Sequence, residues 1–462
     1  MNTHSLNLVY ILFFVINCNT LFGQTAPTLQ EIIDSALVYD YQYENKKIIL
    51  KQIELDQEKI SDAYMPRVEL NAKEAYAYGA SNLTTPAIVM PQIPFMLPEH
   101  SNRYMLDNFI TQADLKASFL IFAGGKVGNL KKANEARYEA ESAMLFVDRN
   151  DIINNVSTIY DQLAMLKSVK LMLDDSQKRL EENQKIADKA LKIGLITQFD
   201  YNKINLAISQ LNSKYKEYEG NRKLILLNLH TITKIDIDRL EKIDQDLQIM
   251  TVSIVDEPQN RPELIALKSA VRANEYKVKA AKTWWIPKVG ANASITYLGL
   301  HDARLRSKDP MLLSQQPLNY NFNNFNVAPL FMAGVGLKWD LFDGREGIND
   351  VKRSKLDLQI ALNKEADANE KISLQLEKNK IEMEITEDQV QIKQIALSIT
   401  QSTMQQATKE YEVGLIRSVE LLEAENDLQQ ASLEYSKAIF QQRRAAYKYL
   451  EAAGTLESTI LK

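Results

Sequence analysis

Shifted by 220 residues along itself, this sequence matches: Phe122, Gly124, Gly194, Leu195, Ile196 and Tyr215 fall on Phe342, Gly344, Gly414, Leu415, Ile416 and Tyr435. Asp200 returns as Glu420, Gln210 as Gln430, and the aromatic at Phe119 as Trp339. One register held without a gap over roughly a hundred residues is an internal duplication, with a period too long and copies too few for a solenoid. The chain therefore has to fold as two halves of one pseudo-symmetric body.

Fifteen Gly and twelve Pro in 462 residues leave room for few turns. The stretches between turns are rich in Lys, Glu, Gln, Ala, Leu and Ile, which favours long helices and bundles. With 55 basic and 60 acidic residues mixed along the chain, there is no basic field for nucleic acid, and none is expected as a partner.

Leu6 to Phe22 is apolar and uncharged, and Gly23 and Gln24 follow it. It reads as a secretory signal over residues 1–23. No Lys or Arg precedes the apolar core, which leaves open a lipoprotein acylated at Cys18. No other stretch reaches the ~20 apolar residues of a membrane helix, so an exported chain without a helical anchor is expected.

Residues 28 to 63 carry apolar positions at helical spacing, and Pro66 ends them. The period then changes to two. Val68, Leu70, Ala72, Tyr76 and Tyr78 alternate with polar or small residues, with Glu74 the misfit, and Thr111 to Ile121 do the same. Between these strands, residues 80 to 109 hold Pro86, Pro91, Pro94 and Pro98, too many for regular structure. The second half repeats the arrangement: a helix to Trp285, a strand from Val289 to Tyr297, a loop from 300 to 327, and a strand from Ala333 to Leu341 that ends at the same Phe-x-Gly corner. Four strands of about eleven residues, with aromatics near their ends, have the length a tilted strand needs to cross a bilayer. Four strands cannot close a barrel alone, so copies must share one, and a trimer supplies twelve strands.

From Gly125 to Lys192 there is no proline and no glycine but Gly128, enough for a helix of roughly 100 Å. Val156, Ile159, Leu163, Leu166, Leu173 and Leu180 form a coiled-coil seam interrupted at Lys170 and Gln177. Residues 347 to 413 behave alike. Each long helix ends at a glycine suited to a left-handed cap, and a return helix follows, over 197–229 and 418–453. The expected organisation is a first repeat over 24–230, with a strand hairpin at 66–122 and a helical hairpin at 125–229. A linker at 231–261 leads to a second repeat over 262–453, with hairpins at 287–342 and 345–453, and a tail at 454–462.

A signal peptide, two duplicated halves, strand pairs ending at Leu341, Phe342, Asp343, Gly344, and helical turns around Val413, Gly414, Leu415 together resemble the outer membrane efflux protein family, the TolC-like channels. The resemblance covers essentially the whole mature chain. It implies a mainly helical protein with membrane β structure: a homotrimeric channel-tunnel whose chains share a twelve-stranded barrel in outer membrane lipid and send long coiled-coil helices into the periplasm. It also implies a periplasmic adaptor (membrane fusion) protein and an inner-membrane transporter as partners, in tripartite efflux or type I secretion.

By that resemblance the tips that meet the adaptor are Ile193, Gly194, Leu195 and Val413, Gly414, Leu415, which on their own terms are helix caps. The resemblance likewise assigns the periplasmic constriction to Glu420 and Glu423, which share one helix face, with Asp200 and Tyr411 as lesser candidates and Arg417 as a tie at the closed end. A solvated helix face is the plainer reading of the two glutamates.

Catalysis has little to stand on. The four His are scattered, so no metal cluster and no cofactor is expected. Gly124, Gly125, Lys126 lacks the Ser or Thr and the first glycine of a phosphate loop, and reads as a strand-to-helix corner. Transport energy would have to come from a partner. The rival reading is an exported coiled-coil structural or adhesive protein without a pore.

Overall fold

The computed structural model describes residues 25–90, 95–255, 258 and 261–461. The expected signal segment and Cys18 lie outside them. The chain divides into two compact units, each drawn from both halves of the sequence: a helical one of Met1–Ile49, Glu141–Ala266 and Ala366–Lys462, and one of Leu50–Ala140 and Leu267–Glu365 that holds the sheet.

The long helices are as the sequence dictates. α3 runs Lys126–Lys192 and α7 runs Glu346–Glu412, 67 residues each. Their return helices are α4, Gln198–Thr233, and α8, Ser418–Ala453, 36 residues each. The shift of 220 carries both ends of α3 and α4 onto those of α7 and α8. No described helix is long and apolar enough to cross a membrane.

The first helical segment is two helices, not one: α1, Leu29–Tyr39, and α2, Tyr41–Ser61. Asp40 turns extended at ψ 112°, and its carboxylate accepts the Tyr43 amide at 2.8 Å, so an acid capping the second helix breaks the periodic run. α1 buries Ile32, Ile33, Ala36 and Leu37 against Ile153, Val156, Ile159 and Leu163 of α3, Leu226 and Leu229 of α4, and Tyr447 and Leu450 of α8. All six seam residues of α3 are buried. The seam does not pass through Lys170 and Gln177, which are exposed; its intervening positions are the half-buried Val169 and the buried Ser176.

The segment between the halves is mostly irregular, with one short helix, α5, Ile237–Leu240. The Gln442 side chain accepts the Met250 amide at 3.0 Å and donates to its carbonyl at 2.8 Å, satisfying the backbone that no ladder pairs. Asp244 and Asp246 both grip Lys167, at 2.7 and 2.6 Å.

Near the end of α8, Glu451 accepts Asn154 at 2.8 Å. Burial raises its carboxyl above the usual range, the Asn154 bond opposes this, and the neighbouring Asp151 adds to it. A raised folded-state value means stability that is fully present below the unfolded pKa and lost as pH rises through the folded one. Wild-type melting should therefore climb as pH falls from neutral toward the ordinary glutamate range, and Glu451→Gln should flatten that slope. A melting series showing equal slopes for both proteins would refute the assignment.

In the other unit, α6 (Pro262–Ala281) stops four residues short of the expected Trp285, in tight turns closed by Thr283 and Trp284 amides on Ala280 and Ala281 carbonyls. The sheet has the order β1-β4-β5-β6, all antiparallel: β1 is Arg67–Thr85, β4 His100–Phe122, β5 Lys288–Pro310 and β6 Pro317–Lys338. A separate ribbon pairs β2, Ile88–Met90, with β3, Phe95–Leu97.

The main strands are 19 to 23 residues long, twice the expected eleven, and the segments read as loops at 80–109 and 300–327 are largely strand. The β1–β4 ladder ends at Thr85 and His100, and Pro86 and Pro98 lie just outside it. Strand pairing needs backbone hydrogen bonds and not apolar alternation, so the ladder continues after the dyad pattern ends. β6 also stops at Lys338, so Trp339 and Leu341 lie beyond the strand; the Trp339 indole donates to the Trp285 carbonyl at 2.9 Å. Gly124 and Gly125, at φ 64° and 82°, make the expected corner from β4 into α3.

Candidate functional site

Strand register sorts the sheet into two unlike faces. On one, Leu70 lies across from Leu115, Leu115 from Ile295 and Ile295 from Phe331. All four side chains are exposed, between 42% and 71%. The adjacent row on the other face is Asn71, Asp114 and Thr296, where the Thr296 hydroxyl and the Gln112 amide donate to Asp114 at 2.8 and 2.6 Å. Glu69 and Lys116 oppose each other one row away on that polar face. An exposed apolar face backed by a hydrogen-bonded polar one is the pattern of a strand with lipid on one side and water on the other. β1 and β6 are the open edges.

At the far ends of the helical hairpins the two turns are copies in three dimensions. Leu195 donates its amide to the Ala190 carbonyl at 2.9 Å and Gly194 to Leu191 at 3.1 Å, while Leu415 donates to Glu410 at 2.8 Å and Gly414 to Tyr411 at 3.0 Å. This paired bonding is the Schellman motif, and it needs the left-handed conformation that Gly194 and Gly414 adopt at φ 76° and 77°. The motif leaves Ile193, Leu195, Val413 and Leu415 at least 70% exposed. Behind them Ile196 and Ile416 pack against one shared cluster of Ala187, Ile204, Met404, Tyr411, Leu421 and Leu428. One end of the helical unit thus presents four bare aliphatic side chains on a packed base, an arrangement suited to a partner's apolar surface.

The acids after each turn also correspond. Asp200 closes a capping box with Thr197, accepting its hydroxyl at 2.7 Å while the Thr197 hydroxyl accepts the Asp200 amide at 3.1 Å. Glu420 accepts the Arg417 amide at 2.6 Å and its guanidinium at 3.3 Å. That amide, first, and the guanidinium hold the Glu420 carboxyl below the usual range, so it is charged at neutral pH. Glu423, one turn on, is exposed. Tyr411 is buried, which pushes its phenol up; its hydroxyl and that of Ser418 are neighbours whose geometry falls short of a hydrogen bond. The structure thus gathers Tyr411 and Ser418 at the base of the tip and leaves Arg417, Glu420 and Glu423 outside it.

The sequence reading missed the most buried charge of the unit. Glu425 of α8 accepts Arg179 of α3 through two bonds, at 2.7 and 3.0 Å, and also Ser176 at 2.5 Å and Gln429 at 3.0 Å. Gln429 in turn accepts Lys214 of α4 at 2.6 Å. The signal was present: Glu425 stands four after Leu421 and three before Leu428, a seam position where a charge has no business on a solvated face. Among the described residues, no three His, Cys, Asp or Glu are grouped to hold a metal ion.

The strand and helix order is the fold of TolC-like outer-membrane channels. Residues 254–455 match the model of the family described as outer membrane efflux protein. Over that stretch the chain is similar to the outer membrane efflux protein family, and its fold is that of outer-membrane channels of known structure. Among solved structures, the outer-membrane channel OprN is 13% identical, with 93% of this chain and 90% of that one covered, at a TM-score of 0.70. The CmeC outer membrane channel of Campylobacter jejuni is 16% identical over 93% and 86%, at 0.67. The outer membrane protein VceC of Vibrio cholerae is 15% identical over 92% and 96%, at 0.67. No curated protein sequence matches the chain.

Proposed function

We propose that three copies of this chain form an outer membrane channel, with the sheet in the membrane, the helical hairpins in the periplasm, and passive conduction from a periplasm-spanning pump or type I secretion machine to the exterior. The observation that carries the reading is the sheet: one apolar exposed face, one polar face, and two open edges at β1 and β6. In lipid an open edge is untenable, and pairing β6 of one copy with β1 of the next closes a barrel. A soluble coiled-coil rod would have no use for the Leu70–Leu115–Ile295–Phe331 row.

The tips Ile193, Gly194, Leu195 and Val413, Gly414, Leu415 are the surface for a periplasmic adaptor, which couples the channel to an inner-membrane transporter. The bare aliphatic side chains there support this. Glu420 and Glu423 line the constriction, with Asp200, Tyr411 and Arg417 shaping it, and the second repeat carries the gate. Six carboxylates around a three-fold axis would favour cations and repel anions.

Single-channel recording in planar bilayers tests both levels. Detergent-extracted protein should insert steady conducting units with cation preference, and Glu420→Ala with Glu423→Ala should weaken that preference. An absence of conductance sinks the channel; unchanged selectivity sinks the constriction alone.

A further inference from the structure

The apolar face of the sheet does not end in neutral residues. On β4, Phe109 and Phe119 stand on the same face, ten residues apart, about 33 Å along a strand. At a tilt of ~40° this spans ~25 Å, the height of the apolar band of an outer-membrane barrel. Tyr76 packs on Phe109 at 5.2 Å between ring centroids, and Tyr78 is next on β1, so this aromatic level marks the band's end toward the strand hairpins.

Immediately beyond that level the same face turns basic. The next row is Tyr78, Asp107, Arg304 and Asn321, and the one after it is Ala80, Met105, Arg306 and Asn319. Arg103 follows two residues past Met105 on β4 and Lys308 two past Arg306 on β5. A register shift between Asp107 and Phe109, with Asp302 at φ 49°, adds a residue to β5 and keeps Arg304 on the face of Phe109. Asp107 is the one acid in these two rows, and Arg306 holds it at 3.0 Å. Arg103, Arg304 and Lys308 are exposed and make no ion pair among the described residues. Two and four residues along a strand place Arg304 and Arg306 some 7 to 13 Å past the aromatic level, the depth of lipid headgroups.

We propose that Arg103, Arg304, Arg306 and Lys308 form a binding surface for the phosphate groups of outer-leaflet lipid. The inference rests on the outer-membrane reading of the sheet and adds to it a lipid of stated chemistry. Guanidinium forks suit phosphate oxygens, and the charge lies in register with the apolar face that the lipid's acyl chains would cover. Each copy carries the patch, so three would surround the assembly.

The test compares the melting of detergent-purified full-length protein with bisphosphorylated lipid A, with dephosphorylated lipid A, and with inorganic phosphate. Wild type should gain about 3 °C with the phosphorylated lipid alone. The variant Arg103→Gln/Arg304→Gln/Lys308→Gln, which leaves Arg306 on Asp107, should lose that gain. An equal gain from the dephosphorylated lipid, or a full gain in the variant, overturns the proposal. A gain from inorganic phosphate alone assigns a free-anion site and overturns the lipid assignment. Conductance recorded from the same samples separates the two levels: intact conductance without lipid preference sinks only this inference, and lost conductance in wild type sinks the channel.

Discussion

Replacing Arg179 with Ala should cost about 3–5 kcal/mol of stability, the largest single effect expected in the helical unit. The Glu425 side chain is 2% exposed, and truncating Arg179 removes two of its four hydrogen bonds while leaving its charge in place. The loss is that of a buried carboxylate stripped of its cation, which exceeds what the pair itself contributes. The paired change Arg179→Met with Glu425→Leu should therefore be much milder, since apolar groups of similar volume leave no charge behind. Chemical unfolding of the detergent-solubilised protein reads both. A loss under about 1 kcal/mol for Arg179→Ala would mean the network is open to water.

Near the middle of the apolar band, Ile295→Arg should cost about 2–4 kcal/mol in every copy, enough to deplete assembled protein from the membrane. Asn292→Arg, three residues away on the opposite face and also exposed, should be tolerated because water fills the barrel there. Heat-modifiable bands in outer-membrane extracts measure the assembled fraction. Equal tolerance of the two arginines would mean that both faces meet water.

What the sequence made legible follows from where its physics is local. Long runs whose one glycine is Gly128 between Gly125 and Gly194, and without proline or glycine between Gly347 and Gly414, state helix ends to within a residue or two. Strand length was legible only where an apolar face alternates with a polar one, because alternation reports a difference between two surroundings. From Gly79 to Thr85, where small and polar residues occupy both faces, the ladder leaves no period in the sequence, and from Asn319 the alternation of Asn with Tyr320 and Phe322 breaks off at residues 323–324. The α3 seam shows the complementary failure: a period of three and four fits Lys170 and Gln177 as well as Val169 and Ser176. Only the packing on α4 and α8 chooses between them. At the tips, glycine after a helix announced the turn, and Thr197 three residues before Asp200 has the spacing of a capping box, whereas Glu420 follows Arg417 and carries no such signal.

Those caps bear on how the carboxylates work. Glu420 is fixed by Arg417 while Glu423 is free to reorient, so the two contribute differently to a constriction despite sharing a helix face. The buried Glu425 lies two residues beyond Glu423 and joins α8 to α3 and, through Gln429, to α4, tying the second repeat to the first behind the proposed gate.

Everything rests on the sheet being one third of a closed barrel. Native mass measurement of the detergent-extracted particle tests this most directly: the account requires three chains, whose four-stranded sheets together close the ring. A particle of one chain, or of two, would contradict it.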